Sequence, residues 1–142
     1  GGHKVETVLS EREKELLEVI RDCTVESVGI EREEIKLDSS FYDDLGVRSL
    51  DLEDIFFRLE EKLGVKTPSM PEVREFLLGG IPEDDFFDDD GLLTPRGLEH
   101  LQELLLYRDL QEIKDKIGEF TLPSAFTVRQ LMGLIADQRH EE

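Results

Sequence analysis

The sequence predicts an all-α fold, and three observations carry that prediction. Apolar residues recur at three- and four-residue spacing in several separate segments. Most of those segments open on a capping residue or close on a glycine. No stretch sustains the alternation of apolar and polar residues that marks a half-buried strand, and no internal repeat is visible.

The elements follow in order. Ser10 and Glu13 have the spacing of a capping box, and Leu16, Leu17, Ile20, Cys23 and Val28 recur at helical spacing, so a first amphipathic helix is expected over residues 10–28. Residues 29–48 hold only isolated apolar side chains (Ile30, Ile35, Leu37, Phe41, Leu45) among charges and two serines. That suits a loop pinned to a core at a few points, and loops of this length are often functional. Leu52, Ile55, Phe56, Leu59 and Leu63 then form one apolar stripe, with Asp51, Glu53, Asp54, Glu60 and Glu61 mostly off it. Gly64 suits the C-terminal cap of this helix, and Pro68 opposes its continuation. Residues 69–124 are heterogeneous: an apolar patch at Phe76, Leu77 and Leu78, a turn at Gly79-Gly80 and an acidic run from Glu83 to Asp90. Within them Thr94-Pro95 starts a helix through Leu98, Leu101, Leu104 and Leu105, and a shorter helix covers Leu110 to Ile117, ended by Gly118. Thr127 caps a last helix carrying Val128, Leu131, Met132 and Ile135.

The 142 residues fit one domain, or one small domain with an appendage. With 17 basic and 35 acidic residues the net charge is −18. Such a surface repels phosphate backbones and anionic headgroups and attracts basic protein patches, so nucleic acid and membranes are not expected partners. The single cysteine cannot form an internal disulfide, and neither a basic-then-apolar leader nor an apolar run of membrane-spanning length is present. The expected compartment is the cytoplasm. Gly1-Gly2-His3 reads as a tag remnant rather than a copper- or nickel-binding amino terminus, and residues 139–142 as a charged tail.

An enzyme is not expected. A serine nucleophile needs a nearby base, and the histidines are His3 in the tag remnant, His100 on the exposed face of a leucine-rich helix, and His140 in the tail. Arg48-Ser49-Leu50 also lacks the glycines of a nucleophile elbow. The run Phe86 to Thr94 imitates a calcium loop when Gly91 is set at position 6, but the first and last ligand positions then fall on Phe86 and Gly97. It reads as a solvated acidic turn favouring the positive start of the next helix, and no metal site is expected. Cys23, on the apolar stripe of the first helix, reads as a core thiol.

Ser49 is the remaining candidate. It stands where the long polar loop turns into the strongest amphipathic helix, among unpaired N–H groups and the positive end of the helix dipole, which favour a bound or attached phosphate. On position alone, an ordinary capping serine is the commoner explanation.

The stretch from Glu34-Ile35 through Phe41-Tyr42-Asp43-Asp44-Leu45-Gly46-Val47-Arg48-Ser49-Leu50-Asp51 and on to Val65 resembles the central region of acyl carrier proteins. There an F-x-x-D-L-G-x-D-S-L-D motif presents a serine that receives a 4′-phosphopantetheine arm. Phe126-Thr127-Val128-Arg129-Gln130-Leu131 is similar to the start of the family's last helix, and residues 10–28 fit its first helix by pattern alone.

The resemblance implies an acyl-carrier-like helical bundle over residues 4–68 and 125–138, with residues 69–124 as an added helical insertion. It implies a carrier, not an enzyme, holding acyl intermediates as thioesters on a 4′-phosphopantetheine at Ser49, for fatty-acid, lipid or polyketide-type synthesis. The modified chain is then a phosphoprotein and is expected to be a monomer. Its partners would be a phosphopantetheinyl transferase and acyl-handling enzymes with basic patches. They would read Arg48 and Leu50 beside the serine, the acids Asp51, Asp54, Glu60 and Glu61, and Phe57, for which a core position is equally open. Charge complementarity suits a carrier that must meet many enzymes and leave each quickly.

Two departures stand out. Arg48 replaces the acid that usually precedes the serine, and the insertion replaces a short link. The first keeps alive an alternative, an unmodified acidic interaction module. The second suggests a helical subdomain that widens or lids an acyl pocket or offers a private docking face.

Overall fold

In the computed structural model, which describes residues 8–106 and 108–140, the chain opens on helix α1, Glu11–Val28. The Ser10 hydroxyl accepts the Glu13 N–H at 3.1 Å, and the Glu13 carboxylate accepts the Ser10 N–H at 3.0 Å. Leu16, Leu17, Ile20 and Cys23 are buried along one face. The connection that follows includes a 3-10 turn, Arg32–Glu34, and is held down by Ile35, Phe41, Leu45 and Val47, all buried.

Helix α2, Ser49–Leu63, ends on Gly64 at φ 66°. It packs against α1, and Glu26 of α1 pairs with Lys62 at 3.0 Å. Next come α3 (Met70–Leu78), α4 (Glu83–Phe86), α5 (Pro95–Leu104), α6 (Leu110–Lys116), a 3-10 stretch (Glu119–Ala125) and α7 (Val128–His140), the last packed on α1. Among the described residues β-pairing is confined to two isolated bridges, Ser40 with Thr127 and Phe87 with Leu93.

The apolar residues of 69–124 do not form a core of their own. Val73, Leu77, Phe86, Leu101, Ile113 and Leu122 belong to the same buried cluster as Ile20, Leu52 and Ile55. Phe126, just before α7, is the hub. Its ring stacks on Phe41 at 5.8 Å and meets Phe56 and Phe76 edge-on at 6.4 and 6.5 Å.

Two sequence expectations need correction or refinement here. His100 does not lie on an exposed face. Its ring lies against Gly79 and edge-on to Phe86 at 5.9 Å, because α3 and α4 cover that side of α5 and Gly79 has no Cβ to keep it away. The patch at Phe76, Leu77 and Leu78 is the end of a nine-residue helix opened by a Ser69–Glu72 capping box.

In the acidic turn, the Asp88 carboxylate accepts the N–H groups of Asp90 and Leu92 at 2.9 and 3.0 Å, so backbone donors already occupy it. Among the described residues no group of three or more His, Cys, Asp and Glu is arranged to hold a metal, and no helix is long and apolar enough to cross a membrane. The segment read as a tag remnant and the end of the charged tail lie outside the described residues.

Candidate functional site

The loop before α2 is built from its own polar groups. Ser40 organises it: its hydroxyl donates to the Ser124 carbonyl at 2.7 Å and accepts the Asp43 N–H at 3.1 Å, while its carbonyl accepts the Asp44 and Leu45 N–H groups. The Asp44 carboxylate accepts the Ser40 N–H at 2.7 Å, and Gly46 at φ 65° turns the chain so that the Val47 N–H reaches the Phe41 carbonyl at 2.8 Å. The far side of the loop docks on the start of α7. Val128 and Arg129 donate their N–H groups to the Ser39 and Leu37 carbonyls at 3.1 and 2.7 Å, which satisfies donors the helix itself leaves unpaired. The Arg129 guanidinium holds Asp38 at 2.9 Å.

On this platform Ser49 is the first residue of α2, and Arg48, extended at φ −103° and ψ 172°, is its N-cap. The capping acid is Asp51, whose carboxylate accepts the Arg48 N–H at 3.1 Å. Ser49 is therefore not a capping serine, so the common explanation for a serine at this place does not apply. Its side chain is exposed, and its Oγ lies 2.7 Å from the Tyr42 hydroxyl.

The surrounding surface follows from helical spacing. Leu50, Asp54, Phe57 and Glu61 sit at i, i+4, i+7 and i+11 and so share one stripe of α2. Leu50 is 80% exposed and Phe57 59%, so Phe57 is a surface residue and not part of a wide core stripe. Asp54 is paired with Arg58 at 2.8 Å, and that guanidinium, with help from the Ser27 hydroxyl, holds the Asp54 carboxyl below the usual range. Glu60 is engaged on the other flank, where it accepts both the N–H and the hydroxyl of Thr67 at 2.9 Å. Of the predicted acids, Glu61 is the most open, and the Arg48 side chain has no ion-pair partner among the described residues. Beside Phe57 runs a surface cleft of about 380 Å³ lined by Phe56, Thr67, Pro68 and Met70 among others.

Sequence reasoning missed two residues that reach this site. Tyr42 touches the Ser49 oxygen, and Arg108 holds the acids next to Tyr42, with Asp44 at 3.0 Å and Asp43 at 3.6 Å. Tyr42 carried only the weak signal of a hydroxyl-bearing residue in a functional loop, and Arg108 carried no local signal.

Residues 18–70 match the family model described as a phosphopantetheine attachment site. An acyl carrier protein of Clostridium acetobutylicum is 40% identical over 53 residues, which are 37% of this chain and 69% of that protein. One from Campylobacter hominis is 39% identical over 54 residues, 38% of this chain and 68% of that protein. Acyl carrier protein AcpXL of Rhizobium meliloti is 35% identical over 68 residues, 48% of this chain and 72% of that protein. No solved structure gives a significant match.

Proposed function

The chain belongs to the acyl carrier protein family, whose members are phosphopantetheine-bearing carriers and not enzymes, and we propose that Ser49 bears its 4′-phosphopantetheine arm. One observation carries the assignment: the Ser49 hydroxyl stands exposed on the first turn of α2 and is not used as a helix cap. The donors around it fit a phosphodiester. Unpaired N–H groups open the helix, the Tyr42 hydroxyl adjoins the oxygen, and the Arg48 side chain is next in sequence. The arm supplies a terminal thiol on which acyl groups are held as thioesters.

In this reading the outer stripe of α2 is the docking surface. Leu50 and Phe57 offer apolar contact to a partner, and Asp51, Asp54, Glu60 and Glu61 give the field that attracts basic patches. Pairing of Asp54 with Arg58 leaves Glu61, in the last turn of α2, to supply much of that field. Arg48 reverses the charge next to the serine, which favours a transferase without a strict demand for an acid there. The interior beneath α2 is filled by Phe41, Phe56 and Phe126, and the cleft at Phe56, Phe57, Pro68 and Met70 offers open space for an acyl chain. We assign the carrier to acyl-chain synthesis of the fatty-acid, lipid or polyketide type, acting in the cytoplasm.

Co-expression with a phosphopantetheinyl transferase followed by intact mass spectrometry tests the assignment. A single phosphopantetheinyl increment that is lost in Ser49→Ala supports it. An increment that persists in Ser49→Ala refutes it.

A further inference from the structure

Arg108 lies between α5 and α6, far along the chain from the serine loop, yet its side chain is only 9% exposed and faces that loop. Three carboxylates surround it: Asp44 at 3.0 Å, Asp43 at 3.6 Å, and Glu112 at 3.6 Å. Asp43 and Asp44 directly follow Tyr42, whose ring packs against the core and whose hydroxyl lies 2.7 Å from Ser49 Oγ. A continuous run of contacts therefore leads from residues 69–124 to the oxygen proposed for modification.

We propose that Tyr42 is a positioning residue for loading of Ser49, and that Arg108 holds the turn from which Tyr42 reaches it. This inference rests on the reading of Ser49 as the attachment site. Of the two hydroxyls, the phenol is the stronger donor, so Tyr42 donates to Ser49 Oγ and the serine proton stays free for a base on the transferase. In the loading step Ser49 Oγ forms a bond to the phosphorus of coenzyme A that bears the pantetheine. The bond from that phosphorus to the departing 3′,5′-ADP oxygen breaks, ADP leaves with the electron pair, and the serine proton passes to the transferase base.

Negative charge in such a transfer is spread over the phosphoryl oxygens, which are bonded to the phosphorus that Oγ attacks and so come next to the same phenol. A neutral hydrogen bond thereby becomes a charge-assisted one, which is roughly twice as strong. Because this gain is larger in the transition state than in the resting protein, Tyr42 acts on rate and not on affinity.

Single-turnover loading with coenzyme A and a broad-specificity transferase, followed by intact mass, tests this. Tyr42→Phe is expected to lower the maximal rate roughly tenfold, leave the half-saturating transferase concentration and the melting temperature unchanged, and move the phosphorus-31 resonance of the loaded protein. Arg108→Gln is expected to slow loading when Tyr42 is present and to add nothing to Tyr42→Phe. Loading of Tyr42→Phe at the wild-type rate, or an Arg108→Gln effect that adds in full to it, overturns the proposal. If Arg108→Gln does not fold, the rate and resonance of Tyr42→Phe decide alone. Failure of the Ser49 reading looks different, since the wild-type protein then gains no mass at Ser49.

Discussion

Arg108 Nη2 lies 3.0 Å from Asp44 Oδ2 across 64 positions of sequence, which ties the segment between α5 and α6 to the loop that delivers Ser49. Removing the guanidinium leaves Asp43 and Asp44 without their counter-charge and Glu112 with Lys116 alone, at 3.8 Å. Breaking a buried pair costs about 3–5 kcal/mol, and because Asp44 and Glu112 are partly solvated the expected loss for Arg108→Ala is about 2 kcal/mol. Urea unfolding measures it. Arg108→Lys should recover only part, since one ammonium cannot reproduce the guanidinium fork.

Phe126 and Phe57 should behave oppositely. Phe126 is fully buried and meets three other rings, so Phe126→Ala is expected to cost about 3–5 kcal/mol. Phe57 is 59% exposed, and Phe57→Ala should change stability by no more than about 0.5 kcal/mol. The same Phe57 variant should bind an acyl-handling partner more weakly, as titration calorimetry can show.

Gly97 and Gly133 make a second contrast. A Cβ at Gly97 would lie 2.4 Å from the Phe86 carbonyl oxygen, so Gly97→Ala must push α4 away from α5 and should destabilise the fold by about 1–3 kcal/mol. A Cβ at Gly133 meets nothing within 4 Å, and in the interior of α7 Gly133→Ala should stabilise by about 0.5–1 kcal/mol. Thermal unfolding of the two variants checks both signs.

Acid should weaken the fold through two named carboxyls. Glu18 is held below its ordinary value by Arg32 and then Arg21, and Asp54 by Arg58 and then Ser27. Both remain charged in the folded protein at pH values where the unfolded chain takes up protons. Their contribution is therefore fully present above the ordinary values of 4.5 and 3.8 and is lost as pH falls through the lowered ones. Urea midpoints measured from pH 6 downward should fall below about pH 4.5, and less steeply in Glu18→Gln and Asp54→Asn.

Cys23 should be inert while the chain is folded. Burial pushes its thiol up to about 11, so at neutral pH almost no thiolate is present and no reagent can approach it. Native protein should resist a thiol-reactive dye, and one equivalent should react in urea. Fast stoichiometric labelling of the native protein would contradict this placement of α1.

Most helix boundaries that a local device sets were legible in the sequence. Ser10 with Glu13, Thr94 before Pro95, and Thr127 with Gln130 each act over three residues or fewer, and the structure shows their hydrogen bonds. Helix α3 carried the same kind of signal in Ser69 and Glu72, but its run of adjacent apolar residues at 76–78 hides the helical period. What could not be read is non-local. The tuck of His100 against Gly79 depends on how α3 crosses α5, and Arg108 finds Asp43 and Asp44 only after the chain has folded back on itself. At the site, the position of Ser49 at a helix start was legible, whereas its freedom from capping follows from Arg48 holding the N-cap position, with Asp51 accepting the Arg48 N–H.

The most direct measurement is tandem mass spectrometry of the protein isolated from its native host, with the peptide containing Ser49 sequenced fragment by fragment. The prediction is a phosphopantetheine mass on Ser49 in at least a fraction of the molecules. A chain that is bare at Ser49 in every molecule, or that carries the arm on another residue, contradicts the account.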